Sequence, residues 1–280
     1  MKKKSKKIAV LYHGFCPDGF GGAYAAWKKF GKKAEYIPVS HQSLPPTGLE
    51  NRGIYIIDFS YPKDILKELE NKTKSLVVMD HHISAEEAVI SVKNNIFDLN
   101  HSGSVLAWKY FHPDSSVPKL LLYVEDTDLW KFKLPYSKEI MNVITRENFD
   151  FNEWDKLAGE LENEKTFQSA ARKGKILLDG WNIVVKDLAN MAEEVEFEGY
   201  IVMAVNAPSI FKSEVGHLLA EKHPPFAIIW YYQRGHFNFS LRSAGTADVS
   251  AIAKKYGGGG NKAAAGFKMN LNIPFPFKEI

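Results

Sequence analysis

Cysteine is almost missing from this sequence: Cys16 is the only one in 280 residues. That excludes an internal disulfide and suits a reducing compartment, so a cytoplasmic location is expected. Long apolar runs are missing too. No stretch approaches the roughly 18 apolar residues of a membrane helix, so no membrane partner is expected. The start, Met1-Lys2-Lys3-Lys4-Ser5-Lys6-Lys7, has the charge of a secretory leader, but the apolar run behind it ends at Tyr12, too short for the hydrophobic part of one. Excess charge is scarce once that start is set aside. Five lysines among the first seven residues turn a body of net charge −2 into a chain of +3. A near-neutral body argues against a broad basic surface for long duplex nucleic acid and leaves room for a local pocket that holds a short anion. The lysine start reads as a solvated arm. The first loop lacks the GxGxxG spacing, which excludes a dinucleotide-dependent oxidoreductase.

What the sequence does contain is a series of short apolar runs that end on metal-competent residues. Leu76-Val77-Val78-Met79 has the continuous apolar character of a strand buried on both faces, and it ends on Asp80-His81-His82. Ile8-Ala9-Val10-Leu11-Tyr12 ends on His13, and Ile54-Tyr55-Ile56-Ile57 ends on Asp58. A helix over residues 20–30, packed closely through Gly21, Gly22, Ala23, Ala25 and Ala26, follows the first run. A strand over 34–40 comes next, and Pro62 opens a helix to about residue 72. Alternation of this kind predicts βαβ units and a parallel sheet, whose right-handed crossovers place all strand C-termini at one edge. His13, Asp58, Asp80, His81 and His82 are therefore expected to converge. Leu120-Leu121-Leu122-Tyr123-Val124 leads into Glu125-Asp126-Thr127-Asp128, a fourth acidic point. Asn100-His101-Ser102-Gly103-Ser104 precedes a helix over 105–111 and reads as its cap, with anion binding as the other use of such a terminus.

Residues 138–198 are rich in Glu, Lys, Asn and Leu, with helical periodicity and no strand-like runs. They read as helices joining two lobes. Beyond residue 199 the pattern predicts strands over 200–205, 226–232 and 237–241, and helices over 213–222 and 247–254. Gly257-Gly258-Gly259-Gly260-Asn261 then opens a small-residue stretch to Gly266, read as a nest of backbone N–H groups for an anion. A strand over 267–269 follows, and 273–280 reads as an irregular tail. The expected fold class is α/β in two lobes: an N-terminal parallel-sheet domain (1–137), a helical linker region (138–198) and a smaller mixed α/β domain (199–280).

Carboxylates and imidazoles without cysteine pairs suit Mn²⁺, Mg²⁺ or Zn²⁺, and the lack of a soft donor favours Mn²⁺. Two ions about 3.5–4 Å apart, sharing a carboxylate and a hydroxide, form a device for phosphoryl hydrolysis. The motifs, taken in order, resemble those of the DHH/DHHA1 phosphoesterase superfamily over nearly the whole chain. They are the loop His13-Gly14-Phe15-Cys16-Pro17-Asp18-Gly19, then Asp58, the triplet Asp80-His81-His82, Asp126, and the glycine run with Arg242-Ser243 before it.

The resemblance implies a manganese-type dimetal hydrolase, with Mg²⁺ or another divalent ion as the alternative. His13, Asp18, Asp58, His81 and Asp126 would be the ligands and Asp58 the bridge. Asp80 would orient His81, and His82 would contact the scissile phosphate, so that Asp58, Asp80 and His82 form the catalytic set. Arg242, Ser243, Gly258, Gly259, Gly260 and Asn261 of the second lobe would hold the substrate across a cleft. Two residues depart from the family pattern: Cys16 stands where many members have the first Asp of Asp-x-Asp, and Asn261 stands where many have His. The implied substrate is a short oligonucleotide or small nucleotide. A catalytically weakened nucleotide-binding or sensor protein is the alternative, and the sequence leaves a homodimer open.

Overall fold

The structure, a computed structural model, describes residues 6–40 and 43–279. Residues 1–5 of the expected lysine arm and Ile280 of the expected tail lie outside the described residues. The chain divides into two compact units, 1–178 and 179–280.

The first unit contains β1 (Ile8–His13), α1 (Pro17–Phe30), β2 (Ala34–Val39), β3 (Gly53–Ile57), α2 (Lys63–Lys72), β4 (Ser75–Asp80), α3 (Glu86–Ile90), β5 (Asn95–Phe97), α4 (Gly103–Phe111), α5 (Lys119–Asp128), α6 (Ser137–Ile144), α7 (Phe151–Glu162) and α8 (Glu164–Asn190) up to residue 178. Its five strands form one parallel sheet in the order β2-β1-β3-β4-β5. Apolar residues cover both faces, as the unbroken runs predict. Val10, Ile57, Val77 and Met79 pack towards α1, α4, α5 and α7, whereas Ala9, Leu11, Ile54, Ile56 and Val78 pack towards α2 and α3. The chain reverses direction of winding between β1 and β3. In an open sheet of this order the crevice beyond the strand ends at that switch is where a ligand binds.

Residues 138–178 are not a free connector. Trp154, Leu157, Leu161 and Phe167 are buried in the same core as Phe20 and Tyr24 of α1, and the Trp154 ring meets Phe20 edge-on at 4.9 Å. The boundary between the units falls inside α8 instead.

The second unit adds β6 (Glu193–Phe197), β7 (Tyr200–Asn206), α9 (Lys212–Lys222), β8 (Phe226–Gln233), β9 (His236–Ser243), α10 (Val249–Lys255), β10 (Gly259–Asn261), β11 (Ala264–Asn270) and β12 (Lys278–Glu279). They form a mixed sheet in the order β10-β11-β9-β8-β7-β6-β12, in which β7 and β8 are parallel. One face packs on α9 through Val215 and Leu219, the other on α10 through Val249 and Ala253. Two expectations fail here. Residues 193–197 form a strand and not a helix: the alternation of buried Val195 and Phe197 with glutamates fits a half-buried strand, and β7 pairs with it. The expected irregular tail is anchored: Phe275 packs edge-on against Trp230, Phe237 and Phe239, and β12 pairs with β6.

Truncating Trp154 tests whether α7 belongs to the first core. Trp154→Ala should cost about 3–5 kcal/mol of stability, the usual loss for a buried aromatic, read as a fall in the urea midpoint. An unchanged midpoint would make α7 a connector after all.

Candidate metal centre

Three strands deliver their C-terminal residues to one edge. His13 ends β1, Asp58 follows β3, and Asp80-His81-His82 ends β4. Asp58 adopts a left-handed backbone, φ 64°, which few residues other than glycine tolerate well but which aspartate can. Its N–H donates to the Met79 carbonyl at 2.9 Å, tying the turn to β4. Asp18 arrives from the first turn of α1. Its carboxylate accepts from the Gly103 and Ser104 N–H groups at 2.7 and 3.0 Å. The acceptor at the N-terminus of α4 is thus a side chain of the protein itself, and the Ser102 N–H donates to Glu125.

The side chains form three overlapping groups. Ligand atoms of Asp58, Asp80, His81 and His82 lie within 4.8 Å of one another, as do those of His13, Cys16 and Asp58, and those of Asp18, His81 and Asp128. Asp58 stands between two imidazoles, with Oδ2 at 3.3 Å from His13 Nδ1 and Oδ1 at 3.3 Å from His81 Nε2. His81 Nε2 also stands 3.7 Å from Asp18 and 3.5 Å from Asp128. None of these approaches is a hydrogen bond. His13 Nδ1, both oxygens of Asp58, Asp80 Oδ2 and His81 Nε2 are all buried without a hydrogen-bond partner. Buried polar atoms are nearly always paired, so five orphans in one place, all of them metal-binding atom types, fit a site for divalent cations.

The electrostatics agree. Burial pushes Asp18 well above the ordinary carboxylate range, and the charges of Asp58 and Asp128 push it further. Burial likewise raises Asp128, again helped by Asp58. Asp58 resists its own burial. The imidazoles of His13 and His81, with Asp18, hold it down to about 2. Several carboxylates that cannot all ionise together are what a bound cation relieves. His13 is raised by the Asp58 carboxylate beside it. Burial pushes the Cys16 thiol up.

Two expected roles change. Asp80 does not orient His81, as the resemblance implied: its Oδ1 accepts from His82 Nδ1 at 2.7 Å and from the backbone N–H groups of His81 and His82. It therefore fixes the His82 ring, and this contact raises His82 to about 9. Asp126 is not brought to the cluster. Its carboxylate accepts from the Lys133 and Leu134 N–H groups and from the Ser137 hydroxyl at 2.6 Å, organising the turn after α5. The run ahead of it is a helix, on which residues two apart point about 200° away from each other. Asp126 faces the turn and Asp128 faces the cluster. Sequence reasoning missed Asp128, though a helical reading of 119–128 would have separated the two.

In the second unit a cavity of about 490 Å³ is lined by Lys212, Tyr231, Phe239, Ser240, Arg242 and Gly257 to Gly260, among others. Arg242 is steadied by Ser240, the Leu241 carbonyl and Ser213. Burial lowers both Arg242 and Lys212, and the Arg242 charge lowers Lys212 further. Lys268 adds a third cation to the lining, which holds no carboxylate. Lys212 is a second residue that sequence reasoning missed. Ser243, next on the strand, points to the opposite face and binds the Pro225 carbonyl and the N–H groups of Gly245 and Ala247. Asn261 is exposed and outside the lining. The glycines do not form an open nest. The Gly257 and Gly258 N–H groups close α10, and a Cβ on Gly258 would fall 2.2 Å from the Gly266 carbonyl. Gly258 and Gly260 serve close approach to β11.

No family model matches the chain. Among solved structures it resembles the DHH domain of PF0399, described as a member of a family of ribosomal proteins (TM-score 0.62, 15% identity, 93% of this chain and 82% of that one). It also resembles the pGpG-specific phosphodiesterase PggH of Vibrio cholerae (TM-score 0.54, 13% identity, 95% and 94%) and RecJ of Thermus thermophilus in complex with Mn²⁺ (TM-score 0.50, 15% identity, 95% of this chain and 50% of RecJ). The fold is that of the DHH superfamily. In sequence, the chain is 32% identical over 303 aligned positions to the uncharacterized protein R106 of Acanthamoeba polyphaga mimivirus, covering 99% of this chain and 71% of that protein. It belongs to the same family as R106.

Asp126 and Asp128 make opposite predictions. Asp128→Ala should weaken Mn²⁺ binding by about tenfold or more with little change in melting temperature. Asp126→Ala should leave Mn²⁺ affinity alone and cost about 1–3 kcal/mol, because three donors, the buried Ser137 hydroxyl among them, lose their acceptor. Calorimetric titration and thermal unfolding of both variants read the two effects.

Proposed function

We propose that this chain is a divalent-cation-dependent phosphoesterase that hydrolyses phosphodiester bonds in short oligonucleotides or small nucleotides. The observation that carries the reading is the set of buried, unpartnered ligand atoms around Asp58. His13 and Asp58 would hold one ion, and Asp18, Asp58, His81 and Asp128 a second, with Asp58 shared. Bound there, Mn²⁺ or a similar ion supplies the Lewis acidity that activates water and neutralises phosphate charge.

The protein's own groups do the positioning. Asp18, fixed by the start of α4, holds its carboxylate towards His81. Asp80 locks the His82 ring through Nδ1 and favours its protonated form. In that form His82 would be a cationic donor for a phosphate oxygen, stronger than a neutral imidazole. Its side chain is half exposed, as a substrate contact requires. In the second unit, Arg242 and Lys212 offer positive charge to a phosphate, and Tyr231 and Phe239 offer aromatic surface to a base. The DHH-superfamily fold supports phosphoester chemistry, and the neighbour PggH, named for pGpG, favours a short nucleotide as substrate.

The test is a hydrolysis screen with added Mn²⁺ over 5′-labelled di- to pentanucleotides, a cyclic dinucleotide, 3′-phosphoadenosine 5′-phosphate and pyrophosphate. One nucleotide class should turn over, and Asp58→Ala should reduce the rate at least about 100-fold while the protein stays folded. Arg242→Ala should raise KM more than it lowers kcat. Protein that binds Mn²⁺ and nucleotide yet cleaves nothing would replace this reading with that of a nucleotide-binding protein.

A further inference from the structure

Cys16 is the one residue at the cluster that a carboxylate-and-imidazole account leaves without a task. Its Sγ, a His13 ring nitrogen and an Asp58 oxygen lie within 4.8 Å of one another. Atoms that bind a tetrahedral ion at roughly 2.0–2.3 Å stand about 3.3–3.8 Å apart, so small side-chain adjustments would close this trio on a cation. The other two members are independently prepared for one. Asp58 is 1% exposed, and both its oxygens and His13 Nδ1 lack hydrogen-bond partners. Cys16 itself occupies the N-cap of α1, with the backbone N–H groups of Asp18 and Gly19 near its sulfur. Ser, Thr, Asp or Asn would serve a helix start better.

We propose that Cys16 is a metal ligand, so that the His13 side of the centre offers thiolate, imidazole and carboxylate to a thiophilic divalent cation such as Zn²⁺ or Co²⁺. This rests on the reading of the cluster as a metal centre. Thiolate donors favour Zn²⁺, whereas carboxylate and water suit Mn²⁺ and Mg²⁺. On binding, the S–H bond is exchanged for a sulfur–metal bond and the proton leaves to solvent. Asp18, His81 and Asp128 on the other side contain no sulfur, so the two positions differ in kind. An ion at the His13 position would resist exchange by Mn²⁺, and an ion at the other would not.

The test exploits the cysteine count. Cys16 is the only cysteine in the chain, so a thiolate-to-cobalt charge-transfer band has a single source. The reduced, metal-stripped full chain would be titrated with Co²⁺ and compared with Cys16→Ser and Cys16→Asp. The wild type should give an intense near-ultraviolet band together with weak visible cobalt bands, and both variants should keep only the visible ones. Competition should show Zn²⁺ affinity falling about tenfold or more in Cys16→Ser, with Cys16→Asp shifted in preference towards Mn²⁺. Visible cobalt bands without the near-ultraviolet band in the wild type would overturn the role of Cys16 and leave the metal centre standing. No binding of Co²⁺, Zn²⁺ or Mn²⁺ by the wild type would overturn the centre itself, and this proposal with it.

Discussion

Asp58 is an ionised carboxylate with 1% of its surface exposed and no hydrogen bond to either oxygen. Burying such a group costs several kcal/mol unless opposite charge compensates. Two imidazoles at 3.3 Å supply part of that compensation, but Asp18 and Asp128 add further acid to the same edge. The rest of the first unit can be understood as the frame that keeps this conflict in place. Ile57 and Met79, fully buried beneath it, fix the ends of β3 and β4. The left-handed turn at Asp58 persists because the Met79 carbonyl and the parallel register over-determine it.

Close approach of the helices is the second condition. A Cβ on Gly103 would sit 2.6 Å from Asp58 Cβ, and one on Gly19 would sit 2.2 Å from the His13 carbonyl. Without those two glycines, α4 could not bring its N–H groups to Asp18, and α1 could not turn so tightly off β1. The helix N-terminus stabilises Asp18 by dipole and hydrogen bond together. Asp58 has no such support, which is why it is the better candidate for a shared cation ligand.

Much of this was legible before any coordinates. Unbroken apolar runs ending on His13, Asp58 and Asp80 imply a buried parallel sheet, and a parallel sheet has only one edge at which those residues can meet. What remained hidden depended on direction, which composition does not carry. Asp126 and Asp128 differ by about 200° of helix rotation, and only the helical state of 119–128 assigns one to the turn and the other to the cluster. Arg242 and Ser243 likewise separate by strand alternation, one lining a cavity and the other bonding Pro225. Lys212 reaches that cavity through a pairing of α9 with β9 that no local pattern announces. The glycine run was visible, but the N–H groups of Gly257 and Gly258 are committed to α10, and Gly259 and Gly260 belong to β10.

Whether the four orphaned atoms of His13, Asp58 and His81 are metal ligands decides the reading of the whole site. Crystals of the full chain grown with Mn²⁺ and measured for anomalous scattering test it most directly. Two anomalous peaks should flank the Asp58 carboxylate, one beside His13 and one beside His81 and Asp128, with Asp126 near neither. An anomalous map without a peak at Asp58, from protein whose His13, Asp58 and His81 are otherwise well ordered, would contradict it.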